Sequence, residues 1–308
     1  MHPARITEAL GLSRPTGALT PLTHQSSQTW TLDTADGRIL LKHTPHTPPA
    51  AITYEAQARR AGIAMPTPIT AGPADIPGLG PVRAYEWIDS RPLRPDDDIA
   101  AWLGRTLALL HTVHPHGHGG PEWYHLHDER WQTWLGTGGE RRWKPALRDH
   151  LTDILDATAT VADTFGATTD HVTTHRDVEP HNVLITAGGP VLIDWDSAGP
   201  DSASLEAAHA IYALATHGRS TPDTTVIDRA GQAYIHHGGT PPAGPGILAR
   251  RLGIRLGRLA ERLRISLGEQ PAGPRDLDAN DNRAQAQIRS IPAFTRHLRA
   301  HAALFGRA

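Results

Sequence analysis

Strand-forming sequence in this chain is confined to the first ninety residues and to one short hairpin near residues 183–193, and nearly everything else has helical spacing. That segregation predicts an α+β architecture, with a small β-rich N-terminal lobe and a larger, mainly helical C-terminal lobe. In the first lobe, QTWTLDT (residues 28–34), the turn Ala35-Asp36-Gly37 and RILLKHT (38–44) carry the alternation and the Asp-Gly signal of a β-hairpin. The stretch Ile52–Ala61 reads as a helix ended by Gly62, Met65-Pro66-Thr67-Pro68 as extended chain, and Val82–Ile88 as a further strand. The Asp96-Asp97-Asp98 cluster suits a helix N-terminus, and Ile99–Val113 then places Trp102, Leu103, Leu107, Leu109 and Leu110 largely along one face.

With 308 residues the chain exceeds what a single compact core serves well, which agrees with two lobes. The absence of Cys excludes disulfides, thiolate metal sites and thiol nucleophiles. No apolar run reaches the length of a membrane span, and MHPARITEALGL lacks a signal-peptide pattern, so a cytoplasmic protein is expected. A net charge of −2 conceals an uneven distribution: residues 245–308 hold 12 Arg against 5 acidic residues. Only two of the 30 basic residues are Lys, Lys42 and Lys144.

The chemistry concentrates in Thr174-His175-Arg176-Asp177-Val178-Glu179-Pro180-His181-Asn182-Val183-Leu184-Ile185, followed by Gly188-Gly189-Pro190 and Val191-Leu192-Ile193-Asp194-Trp195-Asp196. Two β-branched runs around a Gly-Gly turn form a hairpin, so Asn182 entering one strand and Asp194 leaving the other meet at the same end. Asp177 lies within reach of that point. An Asn and Asp pair offers hard oxygens suited to Mg²⁺, which takes the rest of its shell from water and phosphate.

This His-x-Asp-x₄-Asn followed by Ile-Asp-Trp-Asp resembles the catalytic core of the aminoglycoside phosphotransferase family, relatives of the protein kinases. The resemblance implies a bilobal protein-kinase-like fold, with residues 1–88 as a nucleotide-binding lobe, a hinge at about 85–91, and residues 92–308 as the helical lobe with catalytic loop and acceptor site. It further implies that Asp177 orients and deprotonates an acceptor hydroxyl, that Asn182 and Asp194 hold magnesium, and that His175 braces the catalytic loop. Lys42, on the strand after the first hairpin turn, is expected to pair with Glu55 on the next helix and to meet the nucleotide phosphates. In a chain that uses Arg for nearly every other cation, a Lys retained there indicates that a compact point charge is required. By the same resemblance Glu86 and Ile88 present main-chain groups to the adenine edge, with Trp87 beside the base. The phosphate-covering loop before Trp30 lacks Gly, and Ser26 and Ser27 are its candidate contacts.

The implied activity is transfer of the γ-phosphoryl group of ATP or GTP, with Mg²⁺, to a hydroxyl of a small molecule, either an antibiotic or a metabolite of choline, homoserine or sugar type. A non-catalytic nucleotide or nucleic-acid binding module is the alternative of a different class; neither nucleic acid nor membrane is the expected partner. Trp123, Trp131, Trp134 and Trp143, in a segment with five acidic and five basic residues (117–150), are read either as core or as an acceptor surface. Asp196, Asp201 and Glu206 follow the metal motif and are candidates to meet a cationic acceptor. The tract His111, His114, His116, His118 falls where a helix runs out into a Pro/Gly loop and reads as structural or solvated more readily than as a metal site. Residues 247–267 form an amphipathic stretch, with Leu252, Leu256, Leu259 and Leu263 on one face and Arg251, Arg255, Arg258 and Arg262 on another, which suits a helix of the larger lobe or a membrane or nucleic-acid surface. Lys144 reads as a surface charge.

Overall fold

The computed structural model describes residues 2–22, 28–114, 116–271 and 276–306. The chain divides into two compact units, residues 1–99 with 175–199 and residues 100–174 with 200–308.

In the first unit helix α1 (Pro3–Ala9) precedes an antiparallel sheet of β1 (Thr20–Leu22), β2 (Thr29–Thr34), β3 (Gly37–His43), β4 (Ala74–Ile76) and β5 (Gly80–Glu86), in the spatial order β1-β2-β3-β5-β4. Strand alternation sorts the side chains. Leu32, Ile39, Leu41, Val82 and Ala84 pack with Ile6 and Leu10 in one cluster. The intervening residues Lys42, Arg83 and Tyr85 fall on the opposite face, and Lys42 and Arg83 are direct cross-strand partners. Helix α2 (Pro49–Arg60) covers that second face with Ala51, Tyr54, Glu55 and Ala58. It starts earlier than the sequence predicts because Pro49 occupies its first turn, where no N–H is required, and Gly62 follows its end with φ 95°.

The hairpin of β8 (Val183–Thr186) and β9 (Gly189–Leu192) joins the short β6 (Arg91–Pro92) in a three-stranded sheet. Residues 175–199, expected with the helical lobe, group with the first unit. Their ties to it include the Leu192 N–H donated to the Ala64 carbonyl at 2.9 Å, the β6–β8 pairing and ion pairs described below. Asp97 caps no helix; both its oxygens bind the Arg91 guanidinium, and Oδ2 also accepts the Arg94 N–H.

The second unit contains α3 (Ala100–Val113), α4 (Asp128–Gly136), α5 (Lys144–Asp149), α6 (Leu151–Ala167), α7 (Ala203–Ala215), α8 (Thr224–His236), α9 (Ala249–Ser266) and α10 (Leu277–Ala302), with a small sheet of β7 (His171–Thr174) and β10 (Gly199–Ser202). Trp131, Trp134 and Trp143 are fully buried in its core, and their indole N–H groups reach Thr158, Glu269 and Ser266. These tryptophans are core, not an acceptor surface. Leu252, Leu256, Leu259 and Leu263 of α9 join the same cluster, and Arg255 and Arg262 bond to Ser290 and Gln287 of α10. The amphipathic stretch therefore spends its apolar face inside the unit. Lys144 is also buried, contrary to expectation, and donates to the Gly138 carbonyl at 2.8 Å.

Gly104 lets α3 and α8 meet at backbone distance, since a Cβ there would lie 2.3 Å from the Ala230 carbonyl oxygen. Farther along the same pair of helices, His111 is buried with Nδ1 2.9 Å from the Tyr234 hydroxyl and Nε2 2.8 Å from Glu206. His111 is thus a core residue. Among the described residues no helix is long and apolar enough to cross a membrane, and no group of three metal-binding His, Asp or Glu side chains is assembled.

Truncating a fully buried indole removes its packing, leaves a cavity and strands Ser266. Trp143→Ala is expected to lower unfolding free energy by about 3–5 kcal/mol, measured by denaturant titration.

Candidate active site

The loop of residues 175–182, Asp194 and Lys42 all belong to the first unit. The loop is built around His175, which is fully buried. Its Nδ1 accepts the Asp177 N–H at 3.2 Å, so Nε2 carries the proton and donates to the Ile193 carbonyl at 3.1 Å. The ring also meets Trp195 edge-on, with centroids 4.6 Å apart. Both ring nitrogens are engaged, so His175 is a brace that fixes Asp177 against the strand leading to Asp194.

Asn182 joins the two halves of the motif. Its Nδ2 donates to the Asp177 carbonyl at 2.9 Å and to Asp177 Oδ2 at 2.7 Å, while its main-chain carbonyl accepts the Ile193 N–H at 2.9 Å. The hairpin therefore brings residue 182 next to residue 193, as its register requires, and Asp194 follows immediately. With the amide nitrogen committed to Asp177, Asn182 Oδ1 is the atom left for a cation. Two hard oxygen donors, Asn182 Oδ1 and the Asp194 carboxylate, are a chemically suitable set for Mg²⁺.

The backbone is strained at this point. Arg176 and Asp194 are the two non-glycine residues with positive φ among those described, at 65° and 67°, conformations that cost about 1–3 kcal/mol each and persist where surrounding contacts hold them. For Asp194 the holding contact is ionic: Lys42 Nζ lies 2.5 Å from Asp194 Oδ1 and 2.6 Å from Asp196 Oδ2. Asp196 Oδ1 accepts the Thr47 hydroxyl at 2.8 Å. Burial opposes the charge on Lys42, but the attraction of Asp194 and Asp196 outweighs it, and the ammonium is held above its ordinary pKa.

Glu55 departs from expectation. It does not hold Lys42; its Oε2 binds Arg83 Nη1 at 2.5 Å, with both side chains almost fully buried. The cause lies in the register. Arg83 stands directly across from Lys42 on the face under α2 and takes the helix carboxylate for itself. Burial raises the Glu55 pKa, opposed in part by Arg83. The sequence did contain a signal for this pair: a charged residue between Val82 and Ala84 in a buried strand requires a partner.

At the expected hinge, Glu86 ends β5 with its N–H donated to Thr67, and Trp87 donates its main-chain N–H to Arg38 and its indole N–H to Asp89. Ile88 lies in the segment between β5 and β6. Ser26 and Ser27 fall outside the described residues. Two candidates for meeting a cationic acceptor are committed elsewhere: Asp201 is fully buried against Arg250 at 3.0 Å and Glu206 is fully buried against His111. Asp196, the third, is taken by Lys42 and Thr47.

A family model described as APH, phosphotransferase enzyme family, matches residues 18–246. No curated protein matches the sequence. Among solved structures, spectinomycin phosphotransferase in complex with ADP and spectinomycin is similar at a TM-score of 0.66 with 13% identity, covering 91% of this chain and 93% of that one. Amicoumacin kinase in complex with AMP-PNP and Ca²⁺ is similar at 0.63 with 13% identity, covering 94% and 92%. A microcompartment-associated aminopropanol kinase is similar at 0.62 with 17% identity, covering 97% and 98%. These likenesses show the bilobal protein-kinase-like α+β fold.

Arg83→Met leaves Glu55 buried without its cation and is expected to cost about 3–5 kcal/mol, whereas the double variant Glu55→Leu/Arg83→Met recovers most of that loss. Thermal or denaturant unfolding of the two variants checks both.

Proposed function

We propose a mechanism from one established premise: the chain belongs to the APH phosphotransferase enzyme family. It is a small-molecule phosphotransferase with a hydroxyl group as acceptor. We assign Asp177 as the residue that orients this hydroxyl and receives its proton. Asn182 engages Asp177 Oδ2, leaving Oδ1 to face the acceptor. As the new P–O bond forms to the acceptor oxygen, the bond to the leaving nucleoside diphosphate breaks and the proton passes to Asp177.

The observation that carries this reading is the meeting of Asp177, Asn182, Asp194 and Lys42, drawn from positions 42 to 194, in one unit. We assign the donor as ATP, with GTP as the alternative. Asn182 and Asp194 would hold Mg²⁺, which neutralises charge on the nucleotide phosphates when bound. Lys42 would meet the α- and β-phosphates, and Glu86 and Ile88 the purine edge through their main chains, beside Trp87. In this reading residues 1–88 serve the nucleotide and the helical lobe receives the acceptor.

For the acceptor we favour a natural-product antibiotic of low positive charge. Spectinomycin and amicoumacin kinases are among the similar structures. The burial of Asp201 against Arg250 and of Glu206 against His111 removes two carboxylates that a polycation would seek. An amino-alcohol metabolite is the second reading, favoured by the likeness to the aminopropanol kinase.

Asp177→Ala is expected to lower turnover by about 10²–10⁴-fold while nucleotide still binds, and full turnover in that variant would refute the base assignment. Lys42→Ala should lose rate heavily and remain folded, read by kinetics beside circular dichroism. Release of nucleoside diphosphate from Mg²⁺-ATP, screened across antibiotic and amino-alcohol panels, is expected to rise with a natural-product acceptor; a rise confined to metabolites would establish the second reading.

A further inference from the structure

The carboxylate that positions Lys42 is not the one on α2. Glu55 has the right place on the helix, but Arg83, opposite Lys42 in the sheet, already binds it at 2.5 Å in a nearly water-free environment. Lys42 turns instead to the loop after β9, with Asp194 at 2.5 Å and Asp196 at 2.6 Å. These two partners differ in kind. Asp194 belongs to the candidate metal pair, so its charge is shared once a cation binds. Asp196 has each oxygen engaged separately, Oδ2 by Lys42 and Oδ1 by the Thr47 hydroxyl at 2.8 Å. Two contacts on opposite oxygens fix the carboxylate plane and hence the direction from which it holds the ammonium. Thr47 lies on the connection from β3 to α2, a few residues beyond Lys42 itself, so lysine and anchor are fixed from one short stretch of chain.

We propose that Asp196, oriented by Thr47, is the positioning residue for Lys42 in the place expected of Glu55. The inference rests on the assignment of Lys42 to the phosphates. Glu55 and Arg83 then form a closed structural pair that stiffens the sheet and α2, while the triad of Lys42, Asp194 and Asp196 holds the ammonium in place before nucleotide arrives.

The scarcity of lysine makes this measurable without turnover. Lys42 and Lys144 are the chain's two lysines, and Lys144, bonded to Gly138 in the other unit, serves as an internal reference. The full-length protein, without nucleotide, is treated with a small amine-acylating ester and the labelling rate at each lysine is followed by peptide mass spectrometry. Asp196→Asn is expected to speed labelling of Lys42 relative to Lys144 by about tenfold, as suits loss of a charge-assisted contact, and Glu55→Gln by less than about twofold. An unchanged rate in Asp196→Asn, or an acceleration in Glu55→Gln as large, would overturn the assignment. Global unfolding exposes both lysines and is recognised by the reference. In kinetics, Thr47→Val should raise the nucleotide KM by about threefold to tenfold with kcat and melting temperature unchanged, the worth of one hydrogen bond to a charged group, and Thr47→Ser should restore it; an unaltered KM would count against the proposal. Because labelling uses no nucleotide, its outcome is separate from that of Lys42→Ala, which tests the phosphate role itself.

Discussion

The contact on which the first unit turns is the ion triad of Lys42 with Asp194 and Asp196, which ties β3 to a loop about 150 residues later in the chain. A buried ammonium is costly unless carboxylates surround it, and the carboxylates on hand sit on a backbone that for Asp194 is left-handed. Each half supports the other: the loop keeps its strained shape because the cation is there, and the cation stays charged because the loop presents its acids. A hairpin of four-residue strands supplies the rigidity that this arrangement needs, and His175 locks the loop of residues 175–182 to the same hairpin.

Several buried charges in each unit are held in pairs. In the first unit Glu55 binds Arg83; in the second, Asp201 takes Arg250 and Glu206 takes His111. Such pairs contribute little net stability compared with apolar packing, yet breaking one strands the other, so they fix which side chains are available for chemistry. Asp177, Asn182, Lys42 and the acids after β9 stand outside these pairs and meet one another instead.

The geometry of the candidate site is legible where its residues cluster in sequence. Asp177, Asn182 and Asp194 lie in one loop and one hairpin whose register follows from a Gly turn, so their meeting is a local matter. Lys42 was legible through its strand and its rarity. The Lys42–Glu55 expectation fails because the competitor, Arg83, comes from a strand 28 residues beyond Glu55, and strand order within a sheet is not written in any single segment. The same holds for the second unit. Helical spacing exposes a leucine stripe in residues 247–267 but does not say what faces it, and only packing reveals that α10 accepts its arginines and that the tryptophans of α4 and the segment before α5 fill the core.

The close approach of α3 and α8 at Gly104 also constrains how this sequence can drift. A Cβ there would meet main chain first, the Ala230 carbonyl oxygen at 2.3 Å and the Tyr234 nitrogen at 2.7 Å, and then the Ala233 methyl at 2.8 Å. A Cβ at residue 104 would lever the two apart at Tyr234 itself, and the bond from its hydroxyl to His111, two turns along α3, would part with them, opening a dry polar network to water. Descendants of this chain can alter the acids and arginines of its surface one at a time; at Gly104 they inherit a spacing that only a concerted change of both helices can revise.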